Sequence, residues 1–289
     1  MVKVPRVVYT SLITLLVGIA ALVVFVRWLE PRFAFFPSTG ETETPRHFGL
    51  DYEPLTIDTA DGEHLRAWLM RAPSPRAAIV YFHGNGGSLS IWAPILAAVV
   101  RRGFSVLAVD YRGYGVSTGQ PTERGLYRDV DATLTRAGTS FDGTVPVVYW
   151  GRSLGSTMAA YAATVRPPRG LIVESGFPDA RSVIRSSPPL LVLSWLSSYR
   201  FATARHLESV NVPVLVMHGD HDSVIPYALG RTLFDGIRGP KTFVTIAGGD
   251  HNDVAPLDPT SYWAAVERFI ESLQAAPLNR QAKTDPRRG

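Results

Sequence analysis

The chain opens with an unbroken apolar segment. From Val7 to Val26, VVYTSLITLLVGIAALVVFV, 20 residues carry no charge. At a rise of about 1.5 Å per residue, a helix of this length reaches about 30 Å, the thickness of one hydrocarbon core. The segment is longer than the apolar part of a usual signal peptide, and no small-x-small cleavage site follows it. We therefore predict a membrane-spanning helix over about residues 7–28, in preference to a cleaved signal peptide or a buried core helix.

The flanks of this segment leave two alternatives open. Basic residues lie on both sides of it, so charge does not determine which side of the membrane the rest of the chain occupies. These residues are Lys3, Arg6, Arg27 and Arg32. Aromatic residues follow the span, and they suit the headgroup region as well as packing against the body of the protein. They are Trp28, Phe33, Phe35 and Phe36.

A β-hairpin is predicted next. The segments EPLTIDT (53–59) and LRAWLMR (65–71) have the composition and length of strands. Between them lies the dipeptide Asp61-Gly62, which is typical of a tight turn. The body therefore starts with an antiparallel pair.

Beyond this hairpin, short apolar runs alternate with segments of helical periodicity. The apolar runs are 77–82, 104–110, 145–150, 170–174, 213–218 and 241–247. The helical segments are 89–101, 122–137, 153–165, 226–237 and 259–275. Such alternation predicts an α/β fold with a mostly parallel central sheet and helices on both faces. In these sheets the functional residues gather at the carboxyl ends of the strands.

The connection over residues 177–209 is too long for an ordinary strand-to-helix loop, and we predict a small inserted cap there. Its apolar patch at 188–196 suits packing on the body and a substrate wall equally well. A Pro- and Arg-rich end is predicted to be a solvated, flexible tail. The expected domains are an anchor (1–32), a main domain (33–276) and this tail (277–289).

Composition supports a globular body and excludes some chemistry. The chain is 46 % hydrophobic and 19 % charged, which argues against disorder. The net charge of +4 comes from the ends, because residues 1–32 and 277–289 each hold four basic residues and one acidic residue. The body between them is slightly acidic, so no nucleic-acid partner is expected. With 0 Cys, a disulfide framework, a thiolate metal site and a cysteine nucleophile are excluded.

Basic residues also indicate the source of the chain. Only 3 of the 29 basic residues are Lys. Such an Arg bias, together with many Ala, Gly and Pro, is what GC-rich coding produces. It favours a bacterial source, and hence the bacterial inner membrane as the location of the anchor.

Two serines match the pattern Gly-x-Ser-x-Gly, at 115–119 and at 151–155. Nucleophilic chemistry needs this serine on a tight turn between a strand and a helix, where the hydroxyl stands clear of the sheet. Ser153 has that context, because it follows a predicted strand and opens a helix whose free N–H groups favour negative charge. Ser117 lies in a glycine-rich loop and suits a turn residue. We predict Ser153 as the nucleophile and keep Ser117 as the alternative.

A serine hydroxyl needs a base, and the base needs an acid that fixes its tautomer. Candidates for both follow successive strands: Gly219 to Pro226 reads GDHDSVIP, and Gly248 to Asp253 reads GGDHND. His251 is the predicted base, since it lies in a polar loop beyond a buried strand. Asp220 and Asp222 both remain open as the acid.

The other histidines are less suited to act as the base, since they lie outside strand-end loops, belong to another element or precede the acid in the chain. They are His47, His64, His83, His206, His218 and His221. His218 and His221 are expected to shape the loop of the acid. A metal site is not predicted at this His- and Asp-rich loop, because a third distant ligand is missing.

The glycine-rich turn in YFHGNGG (81–87) follows a predicted strand and can direct backbone N–H groups at a carbonyl oxygen. We predict that Asn85 or Gly86 supplies half of an oxyanion hole and that the N–H of Leu154 supplies the other half. A plain glycine-rich turn is the alternative. The turn lacks the Lys and the Ser or Thr of a phosphate-binding loop, so no nucleotide or other cofactor is expected.

Five motifs occur together between about Leu55 and Leu273. They are HGNGG (83–87), DYRGYGVSTGQP (110–121), GRSLG (151–155), HGDHDSVIP (218–226) and GGDHND (248–253). In this combination they resemble the α/β-hydrolase superfamily. Within it, the DYRGYG segment and the amino-terminal anchor resemble the membrane-anchored serine hydrolases related to the depalmitoylating α/β-hydrolase-domain proteins, a group often labelled peptidase-like.

The resemblance implies the α/β-hydrolase fold and a Ser-His-Asp triad. Ser153 would be the nucleophile, His251 the base and Asp222 the acid, since Asp222 matches the Asp of the Asp-x-x-Val/Ile-Pro pattern. The implied reaction is hydrolysis of a carboxylic ester or thioester through an acyl-enzyme, with a small-molecule or lipid-like acyl ester as substrate. One departure from the group is clear: the animal depalmitoylases carry a cysteine-rich amino terminus, and this chain has an apolar span in its place.

Two other functions are weighed beside this one. The same triad would serve a peptidase or aminoacyl-ester hydrolase, which needs a charged pocket for a substrate terminus. A membrane-tethered binding protein that has lost catalysis is the alternative outside enzymes.

Overall fold

The computed structural model describes residues 6–187, 197–253 and 258–275, and its strands form two sheets. In chain order the strands are β1 (Phe36–Pro37), β2 (Glu53–Asp58), β3 (His64–Met70), β4 (Ala77–Phe82), β5 (Gly86–Gly87), β6 (Phe104–Val109), β7 (Val147–Arg152), β8 (Gly170–Glu174), β9 (Val214–Gly219) and β10 (Lys241–Ile246). The main sheet has the order β10-β9-β8-β7-β4-β6-β3-β2, and β1 pairs with β5 in a small second sheet. The predicted antiparallel start is confirmed, because β2 pairs with β3 around the turn at Asp61-Gly62.

The helices connect these strands and cover both faces of the main sheet. They are α1 (Arg6–Ala34), α2 (Leu89–Arg101), α3 (Glu123–Ser140), α4 (Leu154–Val165), α5 (Ala180–Ser186), α6 (Thr203–Leu207), α7 (Tyr227–Gly236) and α8 (Pro259–Ala275), with a short 3₁₀ turn at Pro45–Phe48. All strand pairs of the main sheet are parallel except those of β3, which runs antiparallel to β2 and β6. The predicted fold class, mostly parallel with helices on both faces, is confirmed.

The core is divided by the sheet into two layers. Side chains alternate along a strand, so in the fully buried β4 Ile79 and Tyr81 contact one layer while Val80 and Phe82 contact the other. Helices α2 and α8 pack in the first layer, and α3, α4 and α6 pack in the second. This double burial explains why the central strands are continuous apolar runs in the sequence.

Helix α1 is a candidate membrane span and is longer than predicted at its carboxyl end. Its span covers Val8–Ala34 with a mean hydropathy of 2.5 in the best window, none of which is buried. The helix was expected to end near residue 28, but it continues through Pro31 to Ala34. Pro31 has no N–H with which to close the preceding turn. The next turn is closed, because the Phe35 N–H donates to the Pro31 carbonyl at 3.2 Å, and the Phe35 ring is buried in the core. The predicted boundary at residue 32 therefore falls inside a helix.

The aromatic residues after the apolar run divide between two environments. Phe35 packs in the core against Tyr199 and Phe201. Trp28, Phe33 and Phe36 are 60 %, 74 % and 61 % exposed. Packing against the body is therefore observed for Phe35, and a headgroup position for the exposed aromatic residues stays a prediction.

The predicted cap region contains α5 and α6, which are connected to the body at several points. The amides of Arg200 and Phe201 donate to the Glu123 carboxylate at 2.6 and 2.7 Å. The apolar patch at 188–196 and the tail at 277–289 lie outside the described residues.

Candidate active site

Ser153 lies on a sharp turn between β7 and α4. Its backbone has φ 53° and ψ −118°, a strained conformation that non-glycine residues rarely adopt. The flanking glycines are required by close packing: a Cβ on Gly151 would lie 2.0 Å from the Gly155 carbonyl oxygen, and one on Gly155 would lie 1.9 Å from the Phe82 carbonyl oxygen. Helix α4 thus packs directly on the backbone of β4 and β7, which leaves the Ser153 side chain at the carboxyl end of the sheet.

Three predicted site residues form one chain of hydrogen bonds. His251 Nε2 lies 3.0 Å from Ser153 Oγ, and His251 Nδ1 lies 2.8 Å from Asp222 Oδ2. The Asp222 side chain is fully buried, whereas the His251 side chain keeps 12 % of its exposure. These residues follow β7, β9 and β10, so the strand ends bring together side chains that are up to 98 residues apart in sequence.

The Asp222 carboxylate is held in place by four neighbours. Oδ1 accepts the amides of Val224 and Ile225 at 3.0 and 2.7 Å, and His218 Nε2 lies 3.4 Å from Oδ2, the oxygen that also faces His251. Burial by itself raises the pKa of Asp222, but the hydrogen bonds from His218, His251 and the Ile225 amide outweigh it and hold the pKa well below its ordinary value. The carboxylate is therefore ionised when it faces His251.

His218 contributes to this arrangement from a fully buried position. Its Nε2 also lies 2.9 Å from the Ile225 carbonyl oxygen, which can only accept, so this nitrogen carries the proton. His218 thus contacts the loop of the acid, as expected from the sequence. His221 is exposed, and its backbone amide donates to the Gly249 carbonyl.

The competing residues have other partners. Asp220 is exposed and accepts the Gly248 amide at 2.7 Å. The Ser117 hydroxyl donates to the Asp110 carbonyl and accepts the Arg66 amide, both at 2.8 Å, so it fixes a turn beside β3. Within the described residues, neither side chain has a recorded hydrogen bond to a histidine.

Arg152 is a site residue that the sequence reasoning missed. It lies within Gly-x-Ser-x-Gly, and its guanidinium donates to the His251 and Asp253 carbonyls at 2.8 and 2.7 Å. On its other side it lies 3.3 Å from Glu174, and both side chains are about 5 % exposed. Burial by itself lowers the pKa of Arg152, but Glu174 acting together with Tyr81, Tyr262 and Asp222 outweighs burial and raises that pKa. The buried guanidinium of Arg152 therefore holds the backbone of the His251 loop. The sequence feature that could have indicated this role is an Arg at the end of a strand, next to the predicted serine.

The glycine-rich turn lies beside Ser153 and is bonded to the end of α1. A Cβ on Gly84 would lie 3.6 Å from Ser153 Cβ. The Asn85 amide group donates to the Ala34 carbonyl at 2.7 Å and accepts the Tyr114 hydroxyl at 2.8 Å, so the side chain of Asn85 is already engaged. The oxyanion donor predicted at Asn85 or Gly86 is a backbone N–H. Leu154 is the first residue of α4, where helical N–H groups have no partner within the helix.

Ser153 and His251 lie at the wall of a cavity of about 1100 Å³. Its lining is largely apolar and comes from α1, the glycine-rich turn, the predicted cap and the loop after β9. The apolar side chains include Val26, Leu29, Phe33, Ile184, Tyr199 and Val224. Cavities of this size hold drug-sized or larger ligands.

A metal centre is not found in the described part of the chain, where no group of three or more His, Cys, Asp or Glu residues is arranged to hold an ion. The site as it stands consists of a serine hydroxyl, an imidazole and a carboxylate at the end of a parallel sheet. Such a set can transfer an acyl group without help from a metal.

The main sheet with its one antiparallel strand and the serine at the turn after β7 define an α/β hydrolase. The chain belongs to the α/β-hydrolase superfamily. Residues 73–203 match the family model described as serine aminopeptidase, S33.

Relatives and solved structures agree with this assignment. The uncharacterized protein Rv2307c of Mycobacterium tuberculosis is 31 % identical over 254 residues, which cover 87 % of this chain and 90 % of that protein. The lysophosphatidylserine lipase ABHD12 of Danio rerio is 31 % identical over 56 % of this chain and 47 % of its own length. The structure of the Pyrococcus furiosus esterase Pf2001 superposes with a TM-score of 0.68 at 18 % identity, covering 83 % of this chain and 97 % of that one.

Proposed function

We propose that this protein is a membrane-anchored serine hydrolase that cleaves carboxylic ester or thioester bonds through an acyl-enzyme. The observation that carries the proposal is the continuous chain of hydrogen bonds from Ser153 Oγ through His251 to the buried Asp222, at the wall of a large apolar cavity. Relatives named as a lipase and a neighbour named as an esterase support the same class of reaction. The anchor is α1, and the Arg-rich composition favours the bacterial inner membrane.

In the acylation step Ser153 Oγ attacks the carbonyl carbon while its proton passes to His251 Nε2. The tetrahedral oxyanion accepts hydrogen bonds from the N–H of Leu154 and from that of Asn85 or Gly86. When the carbon–oxygen or carbon–sulfur bond breaks, the leaving alcohol or thiol takes the proton from His251. Asp222 stabilises the imidazolium and keeps Nε2 directed at the serine.

Deacylation repeats these steps with water. His251 takes a proton from water as its oxygen attacks the acyl carbon, and the proton then returns to Ser153 Oγ as the acid leaves. The products are a carboxylic acid and the alcohol or thiol, so no oxidant, reductant or further reactant is needed.

The cavity favours acyl esters over the peptidase alternative. A pocket for a substrate amino terminus needs a free carboxylate, and the acidic residue among the described lining residues is Glu30. Its carboxylate already accepts hydrogen bonds from Ser197 and Ser198. The cation of the lining, Arg152, is paired with Glu174.

Fluorophosphonate labelling of the full-length protein in mild detergent tests the nucleophile without a chosen substrate. The wild type and Ser117→Ala should label, and Ser153→Ala should not. Ser117→Ala is the matched control because it removes the hydroxyl of the other Gly-x-Ser-x-Gly motif. A folded wild type that never labels would instead favour the non-catalytic binding protein, and labelling that survives in Ser153→Ala would contradict the assigned nucleophile.

A panel of acyl esters, acyl thioesters and aminoacyl esters then separates the substrate classes. We expect turnover of the acyl compounds to exceed that of the aminoacyl esters. The reverse order would favour the peptidase-like function.

A further inference from the structure

One face of α1 lines the cavity that contains Ser153. The residues concerned are Val26, Leu29, Glu30 and Phe33. Their spacing of i, i+3, i+4 and i+7 places them on a single face of the helix. Three of them, Val26, Leu29 and Glu30, are half-buried, whereas neighbours such as Val24 are exposed. The apolar helix that begins the chain therefore also forms part of the wall of the candidate active site.

This face is fixed against the predicted cap. The Glu30 carboxylate accepts the Ser197 hydroxyl at 2.5 Å and the Ser198 amide at 2.8 Å, and it also accepts the Ser198 hydroxyl. The Glu30 carboxylate is thereby engaged by the predicted cap and is not free to bind a charged ligand. The remaining surface of α1 toward the cavity is aliphatic or aromatic, which suits a chain of methylene groups.

The position of this face along α1 matters as much as its composition. The uncharged run of the helix ends at Val26, and Arg27 is the next residue. In a bilayer the change from apolar to charged residues marks the border between hydrocarbon and headgroups. Trp28 is exposed here with the Arg32 guanidinium 4.4 Å above its ring, as suits a headgroup region. The cavity lining therefore begins where the acyl chains of the membrane end.

We infer that the last turns of α1 are the acyl-chain wall of the active site, and that the substrate is a membrane-resident amphiphile with a long acyl chain. Its chain leaves the bilayer along Val26, Leu29 and Phe33 without crossing water, and its ester or thioester carbonyl reaches Ser153. This inference rests on the proposed function and specifies its substrate. It also makes α1 a determinant of chain-length preference in addition to an anchor.

A matched pair of valine substitutions tests the inference. Val26→Trp fills the cavity at its membrane end, whereas Val24→Trp adds the same side chain on the exposed face two residues earlier. Full-length variants in phosphatidylcholine vesicles are assayed for kcat/KM with a butanoyl and a hexadecanoyl ester of the same alcohol. Val26→Trp should lower the value for the long chain by about tenfold and leave the short chain within about twofold, while Val24→Trp should change neither.

The outcomes separate this inference from the proposed function. Equal losses on both esters, or no loss on either, in Val26→Trp would overturn the role of α1 while leaving the serine hydrolase intact. A wild type that is not labelled by fluorophosphonate would overturn the hydrolase itself. If Val26→Trp fails to fold, Leu29→Ala beside Ile13→Ala, which removes the same number of carbons on an exposed, non-lining face, serves instead, with a loss of about fivefold expected for the long chain in Leu29→Ala only. Identical chain-length profiles in those two variants would also overturn the inference.

Discussion

The guanidinium of Arg152 donates to the carbonyl oxygen of His251 at 2.8 Å. The residue beside the proposed nucleophile thus holds the backbone of the proposed base. The same nitrogen, Nη2, also donates to the Asp253 carbonyl at 2.7 Å, so one guanidinium nitrogen holds two backbone carbonyls of this loop. Because a displacement of about 1 Å in a catalytic group can cost about a hundredfold in rate, this contact bears directly on turnover.

Replacing Arg152 by Met should lower kcat by about tenfold to a hundredfold with little change in KM, since the loop of His251 loses its anchor. The single variant also leaves Glu174 buried without its cation, which is destabilising. Arg152→Met combined with Glu174→Gln separates the two effects: thermal stability should partly recover while kcat stays low. Arg166→Met is the control, because Arg166 donates to the Leu134 carbonyl far from the serine. Wild-type kcat in the double variant would show that the contact has no part in catalysis.

The two candidate acids give different expectations. Asp222→Asn leaves the shape of the site but favours the wrong tautomer of His251, and kcat should fall by about four orders of magnitude if the three residues act as a Ser-His-Asp triad. Asp220→Asn should cost less than about threefold, since Asp220 is bonded to the Gly248 amide. Steady-state kinetics on one acyl ester measures both. If the two effects were reversed, the acid would be Asp220.

Stability should depend on pH through Asp222. Its pKa is lowered in the folded protein, whereas in the unfolded chain it is about 3.9. The unfolded state therefore binds a proton first as pH falls, so the stabilisation is complete above about pH 5 and is lost progressively below about pH 4. Thermal midpoints measured from neutral to acidic pH should show that the difference in midpoint between the wild type and Asp222→Asn becomes smaller below about pH 4. Asp51→Asn, at an exposed aspartate, gives the baseline, and an advantage that grew on acidification would contradict the assignment.

Gly155 should tolerate no side chain. An alanine Cβ there would meet the Phe82 carbonyl oxygen at 1.9 Å, so α4 would have to move away from β4. We expect Gly155→Ala to destabilise the fold by more than about 2 kcal/mol and to abolish fluorophosphonate labelling. Gly236→Ala is the matched control, because a Cβ at the end of α7 meets nothing within 4 Å. Two equally stable, labelled variants would mean that the turn is not packed as tightly as the distances require.

Much of the fold could be read from the sequence because buried parallel strands are continuous apolar runs. The predicted bounds of β4 and β8 match the structure, and so do those of α2 and α8. Ser153 could be selected by its position after such a strand, and His251 by its position after β10, which is an edge strand and is only partly buried, not fully buried as expected. These inferences use only local patterns, which is why they work without the tertiary structure.

The rest depended on contacts that leave no local pattern. Arg152 bonds backbone carbonyls 99 and 101 residues away, and any residue presents the same carbonyl. The cavity-facing residues of α1 could not be predicted for a different reason. A helix that crosses a membrane is apolar on every face, so the sequence does not distinguish Val26 from the other valines of the apolar run. The end of α1 was misplaced because packing of Phe35 in the core overrides the usual effect of Pro31.

The bonds between the end of α1 and the glycine-rich turn couple the candidate membrane span to the candidate site. Asn85 binds the Ala34 carbonyl, and β1, directly after the helix, pairs with Gly86 and Gly87. A protease that trimmed the protein from the membrane at this junction would remove the partners of the very turn assigned to the oxyanion. If the proposed function holds, cleavage at this junction should lower activity, although it leaves many other ectodomains in working form, and an unrelated span in place of α1 would keep attachment while losing these contacts.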